Sequence, residues 1–99
     1  MTKRPLLVGI PLMMPNKDID EPLYSLWTKI SPENNQRRYY AIRCQQNLFD
    51  HWEVIRHWGR IGQHGGTVRL ASYGDYCEAK SHYDSACQHR LARHYTRQK

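Results

Sequence analysis

The residues with the clearest chemical potential lie close together in the second half of the chain. Arg56, Trp58 and Arg60 alternate along one segment, and Arg69 follows a glycine-rich stretch. A flat indole can stack on an exposed nucleobase, and planar guanidinium groups match the oxygens of phosphate. This combination is typical of surfaces that bind nucleic acid.

The charge distribution is compatible with this interpretation. The 99 residues carry 15 Lys and Arg against 9 Asp and Glu, which gives a net charge of +6. The charges cancel over residues 1–35, so the whole excess lies in residues 36–99. A basic surface can exist for solubility alone, so charge leaves open whether a polyanion binds it.

Catalysis and metal binding receive less support. The histidines are scattered, at His51, His57, His64, His82, His89 and His94. A nuclease built on them would be an alternative, but no carboxylate pair or metal-binding spacing accompanies them. We therefore expect a non-enzymatic protein with no catalytic residues and no cofactor.

The cysteines predict a reducing environment. Cys44, Cys77 and Cys87 are odd in number and form no C-x-x-C motif, which argues against a disulfide framework and favours the cytoplasm. A metal site can be drawn from Cys77, His82, Cys87 and His89, but this spacing matches no familiar zinc pattern. We expect no bound metal.

The pattern of apolar residues predicts an α+β fold. Residues 23–30, 37–46, 51–61 and 67–73 alternate as strands and are separated by turn-forming residues. We expect a small antiparallel sheet of four to five strands, with Trp27 and Trp52 in its core. Asp75 is a predicted N-cap, paired with Glu78, of one C-terminal helix that packs across the sheet and runs to about Arg97.

The third predicted strand mixes core and ligand residues on one face. Strict alternation places Trp52, Val54, Arg56, Trp58 and Arg60 together. A β-bulge between Val54 and Trp58 would separate the two kinds and also turn Ile55 inward. We expect Trp58 and Arg60 to lie on the open side of the sheet, free to meet a polynucleotide.

Residues 1–22 form a predicted Pro-rich N-terminal arm, before a domain that spans residues 23–99. The arm holds four of the five prolines, which exclude a regular helix. Its apolar run, residues 6–14, is too short to cross a bilayer and precedes no small-residue cleavage site. We expect no membrane association.

Residues 56–62, Arg-His-Trp-Gly-Arg-Ile-Gly, carry a Trp-Gly-Arg signature, and around it the chain resembles the WGR domain family over about residues 24–95. Upstream are Ser-Pro-Glu-Asn-Asn at 31–35 and the pair Tyr39–Tyr40, and downstream is Gly-Thr-Val-Arg-Leu at 66–70. The predicted helix places Ala79, Tyr83, Cys87 and Arg90 where WGR domains typically have Ala, Phe, Phe and Lys. Cys87 and the absence of a Thr-Gly-Asn tail are departures from the family pattern.

The resemblance implies a fold and a function. WGR domains occur in DNA-damage-dependent poly(ADP-ribose) polymerases and as short bacterial proteins, and this chain is similar to the second kind. In the polymerases the signature Trp packs against the sugar and base at a strand terminus. By position, Trp58 would then be the stacking residue and Arg60 the phosphate-binding or bridging arginine.

Further contact residues follow from the same comparison and from the strand pattern. Arg69 lies where some relatives have a contacting Lys, and Asn35, Arg37 and Arg38 match a loop and strand edge that approach DNA. Arg56 is either a contact or a solvated charge. Tyr39 either packs on the sheet or stacks on a base.

The sequence thus predicts a non-catalytic module that binds nucleic acid at DNA ends, breaks or exposed backbone, with RNA as a possible ligand. The alternative is a protein-interaction or regulatory module that docks a partner protein, because an extended N-terminal arm can add to a sheet edge. The basic end of the helix, residues 89–99, suits either the helix dipole or phosphate contact.

Overall fold

The computed structural model describes residues 20–99, so most of the predicted N-terminal arm lies outside the described residues. The elements in chain order are β1 (Leu23–Ser31), a 3₁₀ turn (Pro32–Asn34), β2 (Gln36–Gln46), β3 (Trp52–Arg60), β4 (Thr67–Tyr73), α1 (Tyr76–Ala92) and β5 (Thr96–Arg97). Each of the four predicted strands and the predicted helix is present. The α+β prediction is confirmed.

The strands form one antiparallel sheet in the order β4–β3–β2–β1–β5. β1 to β4 are joined by short connections and each pairs with its neighbour in sequence, whereas α1 lies between β4 and β5, the two edge strands. In the turn between β2 and β3, the side chain of Asn47 accepts hydrogen bonds from the backbone N–H groups of Phe49 and His51. The result is a meander that keeps the two faces of the sheet distinct.

The predicted bulge in β3 is wrong. Pairing with β2 runs without interruption from Arg38↔Arg60 to Gln46↔Trp52, and pairing with β4 is equally regular. Ile55 lies between Arg43 and Leu70 on the face opposite the helix, so it does not turn inward. No bulge is needed, because the helix covers only part of the face that mixes apolar and cationic residues.

The core lies between α1 and one end of the helix-bearing face. Trp27 and Trp52 are 2% and 6% exposed, so their prediction as core residues is confirmed. Ala79 and Tyr83 are the buried residues of the helix. The one buried polar residue among those described, Ser25, accepts a 2.9 Å hydrogen bond from the Trp27 indole, which satisfies both groups.

The helix begins as predicted and ends earlier. The Asp75 side chain accepts a 2.8 Å hydrogen bond from the Glu78 backbone N–H, which is an N-cap. The helix stops at Ala92 and not near Arg97, because His94 takes a left-handed conformation with φ 66°. The Tyr95 N–H then bonds to the Arg90 carbonyl and the His94 N–H to the Leu91 carbonyl, as in a Schellman motif.

This reversal produces a strand that the sequence pattern did not predict. After Tyr95 the chain turns back and β5 pairs with β1, through Trp27↔Arg97 and Thr28↔Thr96. The backbone of Leu26 bonds further to Gln98 and Lys99. The C-terminal end of the chain thereby becomes an edge of the sheet. Within residues 20–99, no helix has both the length and the apolar character needed to cross a membrane.

Candidate nucleic-acid interface

The helix leaves one corner of its own face of the sheet uncovered. Tyr76, at the start of α1, packs edge-on against Trp52 at 4.8 Å, and Arg90, near the end, reaches Tyr40. Beyond that end lies an open groove of about 740 Å³. The described residues that line it are Arg38, Tyr39, Tyr40, Arg56, Trp58, Gly59, Arg60, Arg69, Arg90 and Tyr95.

An aromatic stack forms the centre of this groove. Tyr40 and Trp58 are directly paired across β2 and β3, and their rings are 5.2 Å apart and nearly parallel, at 5°. Tyr40 is buried, whereas Trp58 is half-buried and packs against the edge of the core. Trp58 lies on the helix-bearing face and not on a fully open side of the sheet, yet its indole remains partly exposed in the groove. It shares the face of the helix and reaches solvent because the helix ends before it.

Arginines stand in opposed pairs on both sides of this stack. Arg38 is directly opposite Arg60, and Arg56 is directly opposite Arg69. Between residues 20 and 99 the sole ion pair joins Lys80 and Asp84 on the helix, so no groove arginine has a carboxylate partner there. Like charges directly opposite each other on a sheet are destabilising. The corner is therefore a concentrated cationic site around an aromatic platform.

Arg60 is held in place by the turn before β2. Its two terminal nitrogens donate to the backbone carbonyl and the side-chain oxygen of Asn35, both at 3.1 Å. Asn35 has a left-handed backbone, with φ 52°, which lets both acceptors face the same guanidinium. This places Asn35 beside the groove as a residue that orients Arg60.

Tyr39 points away from the stack, to the opposite face of the sheet. Its hydroxyl lies 3.1 Å from Nε2 of His57, and the two rings meet edge-on at 5.3 Å. The ring of Tyr39 therefore packs against His57 on the opposite face of the sheet. The residue still forms part of the groove lining.

Tyr39 also explains the glycine of the Trp-Gly-Arg run. A Cβ at Gly59 would lie 3.0 Å from the Tyr39 hydroxyl oxygen and 3.2 Å from the Gly66 Cα. A Cβ at Gly66 would lie 2.7 Å from the Trp58 carbonyl oxygen. These glycines let the turn between β3 and β4 close against Tyr39, which fixes the end of β3 that carries Trp58.

The eight predicted contact residues do not all come together. Six of them line the groove, the exceptions being Asn35 and Arg37. Arg37 pairs with Ile30 and is exposed on the opposite face of the sheet. Side chains alternate along β2, so Arg38 lies on the groove face and its neighbour Arg37 on the opposite face.

The family comparison fits this geometry. A family model described as the WGR domain matches residues 24–99. The chain belongs to the WGR domain family. This family is a nucleic-acid-binding type of module.

Other known proteins add little detail about this WGR domain. It is similar to an uncharacterized protein, y4dW, of Sinorhizobium fredii, with 38% identity over 47 residues. That match covers 48% of this chain and 23% of the relative, so the chain spans about a quarter of that protein's length. No solved structure matches the chain significantly.

Three groove residues of this WGR domain were missed or misjudged from sequence. The sequence identifies Tyr40 only as part of the Tyr39–Tyr40 pair, whereas in the structure it also carries the stack. Arg90 has two interpretations from sequence, an interaction with the helix dipole and a contact with phosphate. Tyr95 has no predicted role. Only the left-handed turn at His94 brings Tyr95 back to the sheet, and no Gly or Asn marks that turn in the sequence.

The remaining reactive residues of the WGR domain lie apart from one another. No group of three or more potential metal ligands occurs in the part of the chain that the structure describes. All three cysteines are free thiols, and burial raises the pKa of Cys44 above its ordinary value. His82 stacks on Tyr73 at 4.4 Å, and no histidine lines the groove.

Proposed function

We propose that this WGR domain is a non-catalytic module that binds nucleic acid at exposed strand ends or breaks in DNA. The observation that carries the proposal is the Tyr40–Trp58 stack between two opposed pairs of arginines. An anion placed among the arginines would relieve their repulsion, and the half-exposed indole offers a surface for a base.

Strand ends suit this site better than an intact duplex does. A duplex hides its base faces inside the stack, whereas an end presents one base face and its sugar to the protein. Stacking of a base on an aromatic side chain contributes about 1–3 kcal/mol and tolerates any sequence. Phosphate contacts by the arginines fix position without reading sequence. Binding should therefore be directed to ends and backbone, with little base preference.

A catalytic role is not part of the proposal. The groove lining contains no histidine and no carboxylate among the described residues, so it offers no general base near a bound phosphate. The free cysteines suit a reducing compartment, and we propose a cytoplasmic location on that basis.

A salt-dependent binding assay tests the proposal. Labelled single-stranded, nicked, blunt-ended and closed circular DNA, with an RNA strand of the same sequence, would be titrated with the full chain at several salt concentrations. We expect tighter binding to the DNAs that have ends than to the closed circle. Equal affinity for all of these nucleic acids would indicate a general attraction to a basic surface and contradict recognition of ends.

A matched pair of variants ties the binding to the groove. Arg69→Gln removes one charge from the groove, and Arg43→Gln removes one exposed charge from the opposite face. Loss of one phosphate contact should reduce the slope of log affinity against log salt by about 0.7–0.9 for Arg69→Gln alone. The same reduction in both variants would contradict the groove. Absence of binding to every nucleic acid would favour the docking of a partner protein.

A further inference from the structure

Arg90 occupies an unusual place in the groove wall. Its guanidinium carbon lies 4.0 Å from the centroid of the Tyr40 ring and 5.0 Å from that of the Tyr95 ring. Cation–π contacts of this kind stabilise the charge of the side chain through the faces of the rings. These contacts do not use its N–H groups, which lie in the guanidinium plane.

The Nε atom of Arg90 is buried and has no hydrogen-bond acceptor among residues 20–99. Because this atom has almost no accessible surface, a ligand in the groove can reach only the terminal nitrogens of the guanidinium. Arg60, by contrast, has both terminal nitrogens committed to Asn35. Arg90 is thus a groove arginine whose position is fixed while its hydrogen-bonding capacity is left unused.

The fold itself fixes this position. The Arg90 carbonyl accepts hydrogen bonds from the N–H groups of Arg93 and Tyr95 in the turn that ends the helix. The same turn places Tyr95 against the guanidinium. The side chain therefore approaches the aromatic stack from a rigid base, so little entropy is lost when it binds a ligand.

We propose that Arg90 is the anion anchor of the groove, and that N–H groups of its two terminal nitrogens bind two oxygens of one phosphate group beside the Tyr40–Trp58 stack. Forked donation of this kind is the preferred geometry of arginine with phosphate. A nucleic-acid backbone as the source of that phosphate rests on the proposed function, whereas the anion site itself does not. Lysine has no second donor in a fixed fork and would not replace it.

Nuclear magnetic resonance of the arginine side chains tests the site directly. The Nε–H signal of Arg90, which reports on its whole guanidinium and is identified by its loss in Arg90→Gln, would be followed during titration with inorganic phosphate and separately with a short single-stranded DNA. A shift with either ligand supports the site. A shift with inorganic phosphate but not with DNA indicates a free phosphate compound as the natural ligand. A shift with DNA indicates that the phosphate belongs to a nucleic-acid backbone. No shift with either ligand overturns the proposal, even if DNA binds elsewhere.

Two charge-conserving variants provide the quantitative arm. Arg90→Lys keeps the charge and loses the fork, and Arg93→Lys makes the same change at an exposed position three residues further on. We expect about tenfold weaker binding of the shifting ligand for Arg90→Lys, as for a lost hydrogen bond to a charged group, and less than about twofold for Arg93→Lys. A thermal melt of each variant separates folding from binding. Unchanged affinity in a folded Arg90→Lys would refute the role of the fork.

Discussion

Trp52 and Trp58 lie on the same strand and the same face of the sheet, yet their surroundings differ in kind. Trp52 is 6% exposed and meets Tyr76 of the helix, beside the neutral core that contains Val54. Trp58 is half-buried, stacked on Tyr40 and flanked by arginines. The strand pattern is identical at both sites. What separates a core residue from a candidate binding residue is the point at which the helix ends.

The end of the sheet that α1 covers, which contains Trp52, is called the covered end and should contribute most to stability. Truncation of Trp52 to alanine removes a fully packed aromatic and leaves a cavity beneath α1. We expect Trp52→Ala to lower the free energy of unfolding by about 3–5 kcal/mol. Urea denaturation followed by circular dichroism measures it. If Trp58→Ala lowered stability by as much as Trp52→Ala, the two ends would not differ as described.

The uncovered end of the sheet, which contains Trp58 and the groove, should contribute most to DNA binding. Trp58→Ala removes the surface offered to a base, and we expect DNA affinity to fall by about 1–3 kcal/mol, which is roughly five- to 150-fold. Fluorescence anisotropy with end-bearing DNA gives the value. Trp58→Phe is the control, because it keeps an aromatic face and should recover part of the affinity. Full affinity in Trp58→Ala would show that no base stacks there.

The orientation of Arg60 offers a finer test of the same end. Asn35→Gly keeps a residue that tolerates the left-handed backbone and removes one of the two acceptors of Arg60. We expect about a twofold to threefold loss of DNA affinity, as for one exposed hydrogen bond. Asn34→Gly, in the same turn but without contact to Arg60, is the matched control. Equal losses in both would assign the effect to the turn itself.

Thiol reactivity sharpens the comparison without changing the fold. Cys44 is fully buried at the covered end, and its pKa is raised by that burial, so little thiolate forms and reagents cannot reach it. Exposed Cys77 should react fully in the native protein at pH 8, and Cys44 only after unfolding in urea. Mass spectrometry of the labelled chain identifies each site. Rapid native labelling of Cys44 would mean that the covered end opens readily.

Much of the fold was predictable because the strands obey simple rules. Alternating apolar residues identify β1 to β4, and Asp75 and Glu78 identify the helix start. The helix end was not predictable, because His94 adopts a left-handed conformation that Gly or Asn more often signals. With that turn missed, β5 was missed as well. The bulge was predicted in error because the sequence gives no measure of how far the helix extends over β3.

The candidate site was predictable to the extent that it follows strand alternation. Arg56, Trp58 and Arg60 share a face by period alone, and pairing adds Arg38 and Arg69. Arg90 and Tyr95 reach the groove through the turn after the helix, which no period encodes. Asn35 lies in a turn, and only the structure shows that it binds Arg60.

The three indole N–H signals of the chain provide the most direct test of the account. Trp27 donates its indole N–H to Ser25 in the core, Trp52 lies under the helix, and Trp58 lies in the groove. In a titration of isotope-labelled protein with end-bearing DNA, we predict a large shift of the Trp58 signal and almost none for the other two. A bound complex in which the Trp58 signal stays still would contradict the account.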